Sequence, residues 1–226
     1  MAMNWHDLLF AHWPIPAAEM RALVPASLEV DLFSGVAWVG VVPFRMSGVT
    51  PRRIPALPWF SSFPELNVRT YVTVGGKPGV YFFSLDAANA LAVTVARTWY
   101  HLPYFRARMN CEESGGGIAY GSVRSGGAAR FRARYRPAGE PVHARRGSLE
   151  YFLTERYCLY TTRRGRVCRA EIHHARWPLQ AAEAEIAENT VAEAAGVRLP
   201  ASPPLLHFAR RLDVVAWPLE PVTPAA

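Results

Sequence analysis

Gly-Gly pairs at 75–76, 115–116 and 126–127 each fall between short runs rich in β-branched and aromatic residues. Glycine accepts the positive φ that a tight reversal between antiparallel strands demands, so each pair reads as a hairpin turn. Residues 67–74 and 80–84 flank the first turn, and residues 106–111, 117–124 and 129–136 form a meander around the other two. Further strands are predicted at 36–46, 156–161, 166–174 and 211–217. Helices are fewer. Residues 16–23 open on a proline, which a first helical turn tolerates. Residues 86–100 have Asp86 as a cap and Leu102-Pro103 as a stop. Residues 148–154 start at a capping serine, and 190–195 end at Gly196. The stretch 49–64 holds four prolines among apolar side chains and reads as a long loop packed onto the domain. Many antiparallel strands with a few interspersed helices give an α+β, β-dominated architecture, a barrel or a strongly curved sheet.

A chain of 226 residues, half of them hydrophobic, can bury one sizeable core, so residues 1–226 are read as a single domain. No apolar run approaches the roughly 18 residues of a membrane helix. The opening Met1–Asp7 lacks a basic head followed by an apolar stretch, so no signal peptide is expected. Net charge is +7, which invites a nucleic-acid reading. However, Lys77 is the one lysine among 25 basic residues, and so lopsided a ratio looks like the codon bias of a GC-rich genome. Arg130, Arg132, Arg134 and Arg136 alternate with Phe131, Ala133 and Tyr135. That pattern is read as a strand with a solvated basic face, with phosphate contact as the alternative. Cys111, Cys158 and Cys168 are odd in number and form no CxxC, as suits reduced thiols in a cytoplasm.

Three stretches could carry chemistry. Glu65, Asn67 and Arg69 share one face of a strand, because side chains alternate with period two. That face either points into a barrel, where Glu65 and Arg69 become a buried charged constellation, or lies outside as a surface ion pair. Residues 148–157 are dense in polar and aromatic groups. Glu150 suits the helix dipole there, while Glu155, Arg156, Tyr157 and Tyr160 lead into a strand that can face a cavity. In Glu171-Ile172-His173-His174 the adjacent histidines point to opposite faces and no HExxH is present, so no metal is expected. One of the pair, His173 or His174, is placed in a pocket beside a carboxylate, and His173 is taken as the contact. GxGxxG, GxxxxGK[ST] and GxSxG are missing, so neither a nucleotide cofactor nor a serine nucleophile has motif support.

Taken in order, residues 8–13 (LLFAHW), 41–45 (VVPFR), the Glu65 strand, 83–86 (FSLD), 147–150 (GSLE), 155–157 (ERY) and 171–174 (EIHH) resemble the YqjF-like family of uncharacterised bacterial proteins over about residues 5–218. That family is similar to the acetoacetate decarboxylase superfamily, which implies an antiparallel, cone-shaped β-barrel with flanking helices. The decarboxylase forms a Schiff base through a lysine after the proline that ends a helix, a second lysine lowering its pKa. Here the corresponding residues are Tyr104 and Phe105, and a phenol cannot form an iminium. The resemblance further matches the decarboxylase's active-site glutamate to Glu65 and sets its arginine near His6.

Two readings follow. In the first, the barrel binds a small carbonyl- or carboxylate-bearing molecule, oriented by Glu65, Arg69 and Tyr104 in an aromatic cavity. In the second, Tyr104 and Glu65 act as acid and base in a lyase, isomerase or hydratase without a Schiff base. Tyr104 and Glu65 are assigned as the chemical pair, with Arg69, His6, Arg45, Glu150, Arg156 and His173 as ligand contacts. No cofactor is implied, a nucleic-acid or membrane partner is not expected, and homo-oligomers are left open.

Overall fold

The computed structural model describes residues 1–50, 62–89, 102–127 and 129–222. Its strands are β1 (Ala2–Ile15), β2 (Glu29–Val30), β3 (Ala37–Thr50), β4 (Ser62–Val74), β5 (Lys77–Ala87), β6 (Tyr104–Ser114), β7 (Gly117–Arg124), β8 (Arg130–Val142), β9 (Cys158–Arg163), β10 (Arg166–His174), β11 (Leu179–Asn189), β12 (Leu205–Ala216) and β13 (Glu220–Pro221). Helices α1 (Ala17–Leu23), α2 (Leu149–Thr154) and α3 (Val191–Ala194) are short. In α2 the Ser148 side chain accepts the backbone N–H of Tyr151, as its sequence predicts.

The sheet closes into a ring of nine strands, β5-β6-β7-β8-β11-β12-β1-β3-β4 and back to β5. A second closure uses the other face of the same wall, because β12 also pairs with β10, and β9 joins β10 to β5. Pairing is antiparallel except where β5 meets β6 and β9, so the β-dominated, antiparallel closed architecture expected from the sequence is the one observed.

Two interiors result. Inside the nine-strand ring, Leu9, Val41, Leu66 and Val68 pack against Tyr120, Phe131, Ala133 and Tyr135. On the opposite face, Phe10, Val42, Phe44 and Phe63 join Trp177 and Leu179, while Tyr71, Phe82 and Leu85 join Leu153 and Leu159. Strand β4 therefore has core on both faces.

Several details depart from the sequence expectations. Asp86 does not cap a helix. It lies in β5, 1% exposed, with Arg124 at 2.7 Å, and the Arg124 guanidinium lies 3.9 Å above the Phe105 ring. The rest of that predicted helix, from residue 90, lies outside the described residues. Residues 49–50 and 62–64 of the predicted loop belong to β3 and β4, and 51–61 lie outside the described residues. Strands β1 and β11 had no counterpart in the sequence reading. Lys77, the first residue of β5, pairs with Glu171 at 2.7 Å. The arginine row on β8 faces a row of glutamates: Arg136, Arg134 and Arg132 stand opposite Glu183, Glu185 and Glu188. Opposite charges across a strand pair offset one another, so this face is a mixed-charge surface rather than a phosphate track. Among the described residues no helix is long and apolar enough to cross a membrane.

Candidate functional site

The second interior holds a cavity of about 180 Å³. Its long wall is the β3–β4 pair. Register sets Phe44 opposite Glu65, Val42 opposite Asn67 and Gly40 opposite Arg69. The period of two then aims Phe63, Glu65, Asn67 and Arg69 to one side, and all four line the cavity. Most of the remaining lining is apolar, from Met3, Trp5, Met46, Leu85, Leu102 and Leu159 among others. Strand β1 contributes residues of both parities. Asp7 takes a positive φ of 54°, and the β1–β3 register shifts after His6, which puts Trp5 and Leu8 on the same side. Asp7 holds that kink through Arg210 at 2.9 Å and Arg45 at 3.4 Å.

Glu65 is 3% exposed. The Tyr104 hydroxyl donates to its Oε2 at 2.8 Å. Burial raises the Glu65 carboxyl to a pKa of about 8. The phenol's hydrogen bond opposes the rise and the nearby Asp86 adds to it. At neutral pH the carboxyl is therefore mostly protonated, and it keeps one O–H to donate beyond the bond from Tyr104. Two strands deliver this pair. Glu65 sits early in β4, and Tyr104 is the first residue of β6, aligned through the parallel pairing of Leu85 with Tyr104.

Asn67 is 4% exposed, and its Oδ1 has no hydrogen-bond partner among the described residues. Arg69 is 9% exposed, its Nε has no hydrogen-bond partner among the described residues, and Nη2 donates to the Leu153 carbonyl at 3.4 Å. The guanidinium packs near the Phe10 and Tyr71 rings, 5.4 and 5.9 Å from their centroids. Two other buried arginines each have a carboxylate, Arg156 with Asp31 at 2.6 Å and Arg124 with Asp86. Arg69 has none at ion-pair distance among the described residues, and the segments outside them contain no Asp or Glu. A buried guanidinium without a counter-charge is costly, and it is the feature of this cavity that most needs a ligand to explain it.

Behind Arg69 lies a neutral pair. His12 Nε2 is 2.7 Å from the Tyr71 hydroxyl, which donates to the Leu153 carbonyl at 2.8 Å. With that proton committed, the network assigns the shared proton to Nε2 of the imidazole. Burial, and then the charge of Arg69, hold His12 well below the usual histidine range. Gly40 makes room for this arrangement, since a Cβ there would come within 3.0 Å of the His12 ring and 3.5 Å of Arg69 Cγ.

The remaining predicted contacts do not line the cavity. His6 and Arg45 point away from it, with His6 Nε2 at 2.7 Å from Ser47 Oγ and Arg45 on Asp7. Glu150 lies in the first turn of α2, its carboxyl lowered first by its hydrogen bond from Ser148. Arg156 packs over the Phe152 and Tyr71 rings and stays bound to Asp31. His173 is exposed, because it is Ile172 that faces inward from β10. His12, by contrast, drew no chemical reading from the sequence; the nearest signal was the glycine opposite it. Among the described residues no cluster of His, Cys, Asp and Glu suits a metal ion.

The closed, β-rich sheet is the fold of acetoacetate decarboxylase-like proteins. Two solved structures illustrate the likeness. One is the enduracididine biosynthesis enzyme MppR complexed with pyruvate (TM-score 0.69, 8% identity, 99% of this chain and 91% of that one). The other is acetoacetate decarboxylase from Legionella pneumophila (TM-score 0.67, 11% identity, 99% and 88%). Within that fold the chain belongs to the DUF2071 family, described as an uncharacterized conserved protein, whose model matches residues 2–213. It is 52% identical over 220 residues to the uncharacterized protein YqjF of Bacillus subtilis, covering 97% of this chain and 91% of that one.

Proposed function

We propose that this protein binds a small carbonyl- or carboxylate-bearing molecule in the β3–β4 cavity, held by Arg69, Glu65 and Tyr104. The observation that carries the reading is the buried, uncompensated guanidinium on the same wall as the buried Glu65 carboxyl. An incoming anion supplies the charge that the chain itself lacks, and the Glu65 O–H donates to a second oxygen. The pyruvate complex of a structural neighbour supports the choice of ligand class. The resemblance noted above sets Tyr104 where the decarboxylase keeps its lysine, so binding here involves no iminium. The test is a thermal-shift screen of small acids and ketones. A dose-dependent rise in melting temperature with several acids is expected, and no rise with any acid or ketone refutes the reading.

A second reading is favoured by one distance, the 2.8 Å from Tyr104 to Glu65. A carboxyl with a pKa of about 8 can take and return a proton near neutrality, and the phenol can donate to a developing oxyanion. This supports a lyase, isomerase or hydratase. Turnover of any substrate found by the screen is expected to fall in Tyr104→Phe and in Glu65→Gln. Turnover unaffected by both changes removes these residues from the chemistry.

A further inference from the structure

Resting on the binding reading above, we infer that the ligand is a monocarboxylate with an apolar body of about six to eight carbons, its carboxylate on Arg69 and its body directed toward Met46 and Phe63. The polar groups are not scattered over the cavity. They lie along β4 in the order Glu65, Asn67, Arg69, with Arg69 buried at one end. At the other end stand Phe63 and Met46, followed by Met1 and Val49, which are partly exposed. A ligand anchored at Arg69 therefore runs past Asn67 toward Glu65, since an eight-carbon chain spans about 10 Å and the strand rises about 3.3 Å per residue. Its carboxylate can accept from Arg69 and from the Asn67 amide, and an oxygen farther along the body can meet the Glu65 O–H. The space available sets the size. An apolar cavity of about 150 Å³ takes a benzene ring, and this one measures about 180 Å³. A two- or three-carbon acid fills the Arg69 end and leaves the rest of the cavity empty, forfeiting apolar contact.

The experiment is isothermal titration of the full chain with acetate, pyruvate, butyrate, hexanoate, octanoate and dodecanoate, and with hexanol as the uncharged control. Affinity is expected to climb about three- to four-fold per methylene from butyrate to hexanoate, level off near octanoate and fall for dodecanoate. Hexanol is expected to bind at least about thirty-fold more weakly than hexanoate. In Val42→Phe, which fills the middle of the cavity, hexanoate is expected to lose more affinity than acetate, with near-ultraviolet circular dichroism reporting that the variant is folded. Acetate or pyruvate binding as tightly as hexanoate overturns the apolar body while leaving the pocket reading intact. Hexanol matching hexanoate overturns the carboxylate anchor. Binding of none of these, by wild-type protein that is folded, overturns both this inference and the reading beneath it.

Discussion

Arg69→Met is expected to abolish carboxylate binding and, in the same protein, to raise the melting temperature of the ligand-free chain. The two effects have one cause. Arg69 is 9% exposed and has no acidic side chain to pair with. Taking a cation out of water costs several kcal/mol even after relaxation. Against this stand a long hydrogen bond to the Leu153 carbonyl, an interaction with the Tyr71 hydroxyl and two ring contacts beyond 5 Å, and such ring contacts give back only about 0.5–2 kcal/mol each. Methionine keeps the aliphatic stem and removes the charge, so the empty protein gains. On the ligand side, deleting one member of a buried charge pair costs about 2–5 kcal/mol, roughly a thirty- to several-thousand-fold loss of affinity. Arg124→Met supplies the contrast. It strips the counter-charge from Asp86, which is 1% exposed, and is expected to destabilise by about 3–5 kcal/mol. Thermal melts of both variants and calorimetry of Arg69→Met with hexanoate decide the matter. An Arg69→Met protein that melts lower than wild type and still binds the acid contradicts the role given to Arg69.

How far the sequence carried this site is visible in particular residues. The Gly-Gly hairpins were legible because positive φ leaves few alternatives, and β7 and β10 fall on their predicted bounds. Strand β1 was not, because its alternation breaks at Asp7, where the left-handed backbone lets Trp5 and Leu8 face the same way. Strand β11 reads as alanine and glutamate, residues that favour helix in isolation. Its extended form comes from pairing with the arginine row of β8, a contact across some fifty residues of chain. The grouping of Glu65, Asn67 and Arg69 followed from period two alone. Whether that face was wet or dry did not, because it depends on the second closure of the sheet through β9 and β10. The same closure decides that Ile172 and not His173 faces inward. Long-range pairing thus fixed what local pattern left open, and it buried a charge that the ring alone would have left in water.

Between about pH 4.5 and pH 8, the stability of the wild-type protein relative to Glu65→Gln is expected to fall steadily as pH rises. The folded-state pKa of Glu65 is about 8, above its ordinary value of 4.5, chiefly because the carboxyl is buried. Below about pH 4.5 the side chain is protonated in both states and contributes no pH dependence. In the interval the unfolded chain releases its proton while the folded one holds it. The folded state then binds more protons, and the unfolding free energy decreases with pH. Above about pH 8 both forms are ionised and the slope vanishes. The accumulated loss is on the order of a few kcal/mol. Glutamine keeps an oxygen to accept from Tyr104 at the same place and cannot ionise, so the variant lacks this term. Denaturant melts of both proteins at half-unit pH steps measure it, and parallel profiles show that Glu65 ionises normally. Ligand binding carries the same signature. Once Glu65 is charged it repels an anion seated on Arg69, so hexanoate affinity is expected to drop above about pH 8 in wild type and stay level in Glu65→Gln. A protonated Glu65 therefore works against the empty fold above pH 4.5 and in favour of the occupied one, which ties the ionisation of this carboxyl to the anion that Arg69 lacks.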